Sequence, residues 1–117
     1  MKKNTWVKTF PGAIMATDKD GMITDMNDRC AETYKNSGGY DLLGTSALAC
    51  HKGTSLKKIE ALYRSQEVNV YSITKNGKKK LIYQAPYFED GVFEGMVELS
   101  LPIPDTIHHY NRDQTEK

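Results

Sequence analysis

Cys50 and His51 stand side by side in the stretch ALACHKGTS, residues 47 to 55. A thiol beside an imidazole invites three chemistries: a metal site, a nucleophile with its base, and a redox thiol. Adjacency serves the first two badly. Neighbours on a helix project about 100° apart, so the pair cannot readily share one metal ion or line up as a dyad. A zinc site needs two further ligands at matched spacing. Cys30 and the pair His108-His109 are present, but no recognisable spacing ties them to Cys50 and His51. The chain has no HExxH, no G-x-S-x-G and no glycine-rich phosphate loop, so an enzyme is not the expected class.

The other polar candidates lie in the last third of the chain. Tyr71 and Tyr83 carry phenols on what read as neighbouring strands and could orient a ligand, although such tyrosines commonly only pack. Over residues 95–101, alternation sends Val97, Leu99 and Leu101 to one face and Met96, Glu98 and Ser100 to the other. Hydrophobicity alone would turn the leucine face to the core. Met15, Met22 and Met26 read as adaptable core filling. Lys78-Lys79-Lys80 follows Asn76-Gly77 and reads as a solvated hairpin end in preference to a phosphate site.

These residues need elements to position them. An apolar run over 12–17, the turn Asp18-Lys19-Asp20-Gly21 and a second run over 22–26 predict a hairpin. Asn27-Asp28 offers a cap for a short helix over 29–35, stopped by Ser37-Gly38-Gly39. Short helical turns and loops are expected over 40–54. Thr54 or Ser55 caps the longest helix, which runs to Ser65 with Leu56, Ile59, Leu62 and Tyr63 as one apolar stripe. Strands over 68–74, 80–88 and 93–101, joined at Asn76-Gly77 and Asp90-Gly91, form a meander that Pro102 and Pro104 end. Two strands, several helices and three strands make an α+β domain, with helices on one side of an antiparallel sheet and room for a ligand between them.

Composition sets the outer bounds. The chain has 117 residues, enough for one domain and one core. The chain divides into a lead-in over 1–9, a domain over 10–104 and a polar tail over 105–117, with Trp6, Val7 and Phe10, ahead of Pro11-Gly12, expected to dock against the body. Sixteen basic against fifteen acidic residues argue against a nucleic-acid surface. No apolar run reaches the roughly eighteen residues of a membrane span, and no signal-like start is present. A cytoplasmic location with reduced thiols is the expectation.

Several of these residues also carry a likeness. Asp20-Gly21-Met22-Ile23, Asn27, and Gly39-Tyr40 with Leu42-Leu43-Gly44 resemble the signature of PAS domains, and Phe10-Pro11-Gly12-Ala13-Ile14 is similar to the entry into their first strand. The segments around Cys50-His51, Gly77-Lys78-Lys79 and Gly95-Met96-Val97-Glu98 look closest to a bacterial PAS subgroup also found as the terminal module of hemerythrin-linked proteins. The resemblance covers about residues 10 to 107. It implies a PAS fold: a five-stranded antiparallel sheet with short helices and one longer helix on one face.

It further implies a sensory module that binds a small molecule, is dimeric, and signals to a partner protein in trans if the chain is complete. The expected ligand contacts are His51, Cys50 and Glu98, together with Tyr71 and Tyr83 from the strand reading above, with Cys50 the more packed of the first two. The likeness of the last strand points Glu98 into the pocket, which agrees with the leucine pattern if the N-terminal segment or a second subunit covers the outer face. The cofactor is left unknown. Haem held by His51 is conceivable, although His51 precedes the long helix instead of lying within it. A flavin adduct is disfavoured, because Cys50 falls later than the reactive cysteine of flavin-binding relatives. The competing functions are a ligand-free interaction or dimerisation module and a redox sensor built on Cys50.

Overall fold

The computed structural model describes residues 5–48 and 53–115. A five-stranded antiparallel sheet is its frame, with strands in the order β2-β1-β5-β4-β3. In chain order the elements are α1 (Thr5–Thr9), β1 (Ala13–Asp18), β2 (Ile23–Met26), α2 (Asp28–Thr33), two 3-10 turns (Lys35–Ser37 and Gly39–Leu42), α3 (Gly53–Ser65), β3 (Asn69–Lys75), β4 (Lys78–Glu89), β5 (Val92–Pro102) and α4 (Arg112–Thr115).

Local chemistry explains the hairpins. The Asp18 carboxylate accepts the backbone N–H groups of Asp20 and Met22 at 2.9 and 3.0 Å, folding the chain from β1 into β2. Asn76 and Gly77 take φ of 55° and 75°, and Asp90 and Gly91 take 52° and 78°. Two successive left-handed residues match the right-handed twist of the strands they join, and Asn-Gly and Asp-Gly adopt that geometry at low cost. Pro86 sits inside β4, but β3 pairs with β4 no further than Gln84. The proline therefore falls where β4 has no β3 partner for an N–H to serve. The free edge of β2 is covered by the loop after the second 3-10 turn. Ile23 donates to Thr45, Gly44 to Ile23 and Ala47 to Gly21, each at 2.8 Å.

Asn27 ties the N-terminal segment to this frame. Only 1% exposed, it caps α2 by accepting the Cys30 N–H at 3.0 Å. The same oxygen accepts the Ile14 N–H of β1 at 2.9 Å. Its amide nitrogen donates to the carbonyls of Val7 at 3.0 Å and Gly12 at 2.8 Å. Outside the domain boundary expected at residue 10, Lys8 of α1 pairs with Asp28 at 3.0 Å, and Tyr40 donates to the same carboxylate. The Tyr40 and Lys8 contacts hold Asp28 below the usual carboxylate range, and the Tyr40 phenol is pushed up to about 12. The lead-in thus docks through its backbone and Lys8, whereas Trp6 faces solvent.

The core is small. Ala13, Ile23, Cys30, Ala31, Ile82 and Met96 are its buried apolar side chains among the described residues, and they belong to the sheet and α2. Helix α3 carries its predicted stripe inward, yet Leu56, Ile59, Leu62 and Tyr63 remain half-buried. Ile59, Leu62 and Tyr63 line a cavity between the helix and the sheet.

Candidate ligand-binding cavity

The inner face of the sheet is a grid of side chains set by register. One row runs Asn69, Gln84, Glu98, Met15 across β3, β4, β5 and β1; the next runs Tyr71, Ile82, Ser100, Ala13. Between this face, α2 and α3 lies a cavity of about 870 Å³, within the size range of small-molecule sites. Its walls are largely apolar, with Met15, Ile23, Leu42, Ile59, Leu62 and Met96 contributing.

Two sets of polar groups inside are joined by side-chain hydrogen bonds. Asn69 donates to Gln84 at 2.8 Å, and Gln84 donates to the Glu98 carboxylate at 2.7 Å. This chain orients Glu98 and leaves it lone pairs for a ligand donor. Elsewhere the hydroxyls of Thr17 and Tyr63 share a short hydrogen bond, and Tyr63 meets the Phe93 ring edge-to-face at 6.3 Å. Both contacts pin α3 near its C-terminal end. Burial pushes the Tyr63 phenol upward, and burial together with the Glu98 charge does the same to Tyr71.

Cys30 also lines the cavity. It is 1% exposed, and burial reinforced by the Glu98 charge pushes its thiol up to about 11. A thiol so disposed is overwhelmingly protonated at neutral pH, which makes it wall material and a poor nucleophile. Among the described residues no three His, Cys, Asp or Glu side chains converge as a metal-binding group.

Of the sequence candidates, Glu98 and Tyr71 line the cavity. Tyr83 is placed elsewhere: it pairs with Val70 and Leu99, on the outer face, and is 39% exposed. The reason is register, since Tyr71 pairs with Ile82 and one residue's offset turns Tyr83 to the opposite side. Cys50 and His51 lie outside the described residues. Residues that sequence reasoning left aside also reach the cavity, among them Cys30, Lys58, Asn69, Gln84, Lys75 and Lys80. Alternation from Ile82 would have pointed to Lys80 and Gln84; nothing in the pattern distinguished Cys30.

No family model matches the sequence, and no curated protein does either. Solved structures do match. The PAS domain of BvgS from Bordetella pertussis superposes with a TM-score of 0.61 at 17% identity, covering 87% of this chain and 84% of that one. The PAS domain of an HTR-like protein from Haloarcula marismortui gives 0.60 at 15% identity, covering 86% and 88%. The Aer2 receptor from Vibrio cholerae, described as a dual PAS-heme oxygen sensor, gives 0.60 at 14% identity, covering 80% and 95%.

The chain has the PAS fold.

These likenesses carry the fold and do not reach the narrower hemerythrin-linked subgroup. Within a PAS frame, the cavity lies between the inner sheet face and the helices, and Glu98 stands on its floor. No helix among the described residues is long and apolar enough to cross a membrane.

Proposed function

We propose that this PAS domain is a sensory module that binds a small molecule between α3 and the sheet and passes its occupancy to a partner protein. One observation carries the reading. A cavity of about 870 Å³ holds an oriented polar row, Asn69-Gln84-Glu98, among apolar walls. A side-chain-filled core would gain from neither feature. The apolar wall supplies affinity, and the row supplies orientation. Filling the space would also give the half-buried stripe of α3 something to pack on.

The test is native mass spectrometry and an absorbance scan of the purified protein, followed by a metabolite screen read by melting temperature. A ligand at a hundredfold its Kd adds about 2.7 kcal/mol of stability, which raises Tm on the order of 10 °C for a domain this small. A Soret band would identify haem, and a mass shift without colour would identify a colourless metabolite. A cavity that carries no copurified species and a screen in which no compound shifts Tm would defeat the reading.

A second reading has its own observation. Leu81, Leu99 and Leu101 are half-buried on the outer face of the sheet, beside Val70 at 47% and Tyr83 at 39% exposed. Such a face suits a second subunit or a partner. Leu99→Arg is expected to convert a dimer to a folded monomer, seen as a later elution volume with unchanged circular dichroism. An elution volume identical to that of the parent chain would remove the outer face as an interface.

A further inference from the structure

The charges around the cavity narrow the kind of molecule it takes. Lys75 and Lys80, from the strands joined at Asn76-Gly77, line it at one end of the sheet. Beside them lies a shallower depression walled by Thr33, Asn76 and Lys78, which shares both lysines with the main cavity. A further ammonium, Lys58 of α3, lines the main space. Among the described residues the ion pairs are Lys8 with Asp28 and Lys35 with Glu32, so neither the three cavity lysines, Lys58, Lys75 and Lys80, nor Lys78 of the depression has a carboxylate partner there.

Among the described residues the carboxylate that lines the cavity is Glu98, and it is remote from the lysine end. Glu98 pairs with Gln84, four positions along β4 from Lys80, which at strand rise is roughly 13 Å. Lys75 and Lys80 line the same end of the cavity without a counter-charge, and neighbouring ammonium groups so placed create a positive potential there. The opposite end presents a carboxylate already holding one amide, and so favours a hydrogen-bond donor. Between the two ends the floor is Ile82.

We propose that the cavity takes an elongated organic anion, with a carboxylate or phosphate head against Lys75 and Lys80 and an apolar body running over Ile82 towards Gln84 and Glu98. The assignment rests on the small-molecule reading above and adds charge and direction to it. The reversed orientation would set the anion beside Glu98 and leave the lysines unpaired.

Calorimetric titration of the full chain at low ionic strength tests this with 10-hydroxydecanoate, its uncharged counterpart 1,10-decanediol, and decyl phosphate. The hydroxy acid is expected to bind at least tenfold tighter than the diol, and the Lys75→Gln/Lys80→Gln double variant to abolish that advantage while leaving diol affinity unchanged. Decyl phosphate binding tighter than the hydroxy acid would assign a phosphate head, and weaker a carboxylate; both support the proposal. Should the double variant fail to fold, Lys75→Gln alone is expected to lose part of the same advantage. Equal binding of acid and diol, or an advantage that survives the lysine substitutions, would overturn the anion assignment and leave the cavity reading standing. If none of the three probes binds, the proposal is overturned, and a negative metabolite screen would then remove the cavity reading as well.

Discussion

Replacing Asn27 by alanine is expected to lower the stability of the domain by about 3 to 4 kcal/mol. Loss of a helix cap costs about 1 kcal/mol, and each buried partner left without a hydrogen bond adds about 1 to 3 kcal/mol. The alanine variant strands the N–H groups of Ile14 and Cys30 and the carbonyls of Val7 and Gly12. Partial relaxation keeps the total below their full sum. Against a domain stability of about 5 to 15 kcal/mol, the change should appear as a fall in Tm of at least about 12 °C.

Asn27→Asp separates the two halves of the role. A carboxylate keeps the acceptor for α2 and β1 but turns negative charge towards carbonyl oxygens, so its folded-state pKa rises. A raised pKa means the folded chain binds the proton more tightly, and stability falls as pH rises through that range. The Asp variant should therefore be more stable in mild acid than at neutral pH. An alanine variant within about 1 kcal/mol of the parent would mean that Lys8 and the strand ladder hold the lead-in without Asn27.

Gly95→Ala is expected to cost about 3 kcal/mol, at the upper end of overpacking penalties, for a different reason. A Cβ at Gly95 would stand 1.9 Å from the Thr17 carbonyl oxygen and 3.0 Å from the Asp18 carbonyl carbon. Both are backbone atoms, so no side chain can rotate away, and β1 must separate from β5. Thr17 is also where α3 is pinned through the Tyr63 hydroxyl. The variant should thus both lower Tm and weaken any ligand held beneath α3. Gly91→Ala is the control, because a Cβ there meets nothing within 4 Å and its cost is confined to the positive φ, about 1 to 2 kcal/mol. Equal losses for the two variants would refute the close-approach account.

The sheet was readable because its signals are local. Asp-Gly, Asn-Gly and Asp-Gly mark the three hairpins, and the stripe from Leu56 to Tyr63 marks α3. The site was less readable because a cavity inverts the usual rule. Hydrophobicity sends Leu99 and Leu101 inward, yet the interior at that depth holds a ligand-sized space and the polar face of β5 lines it. Only the resemblance pointed Glu98 inward. The cap at Asn27 was legible from its neighbours, but its donors serve carbonyls from 15 and 20 residues earlier in the chain, which no local pattern reveals. Lys75 and Lys80 were hidden by their own solubility, since a lysine beside Asn-Gly looks the same whether it faces water or the mouth of a cavity.

Among the described residues α3 is tied to the sheet at Tyr63, and any turn of the helix about that point would act as a lever. Its fixed point is Tyr63, and Gly53 lies ten residues away, about 15 Å at the rise of an α-helix. A turn of about 10° about Tyr63 would sweep the Gly53 end through roughly 2.6 Å at that length. A molecule beneath Ile59 and Leu62 would press near the fulcrum, while the displacement would be read at the far end. That end is joined in sequence to residues 49–52, which include Cys50 and His51.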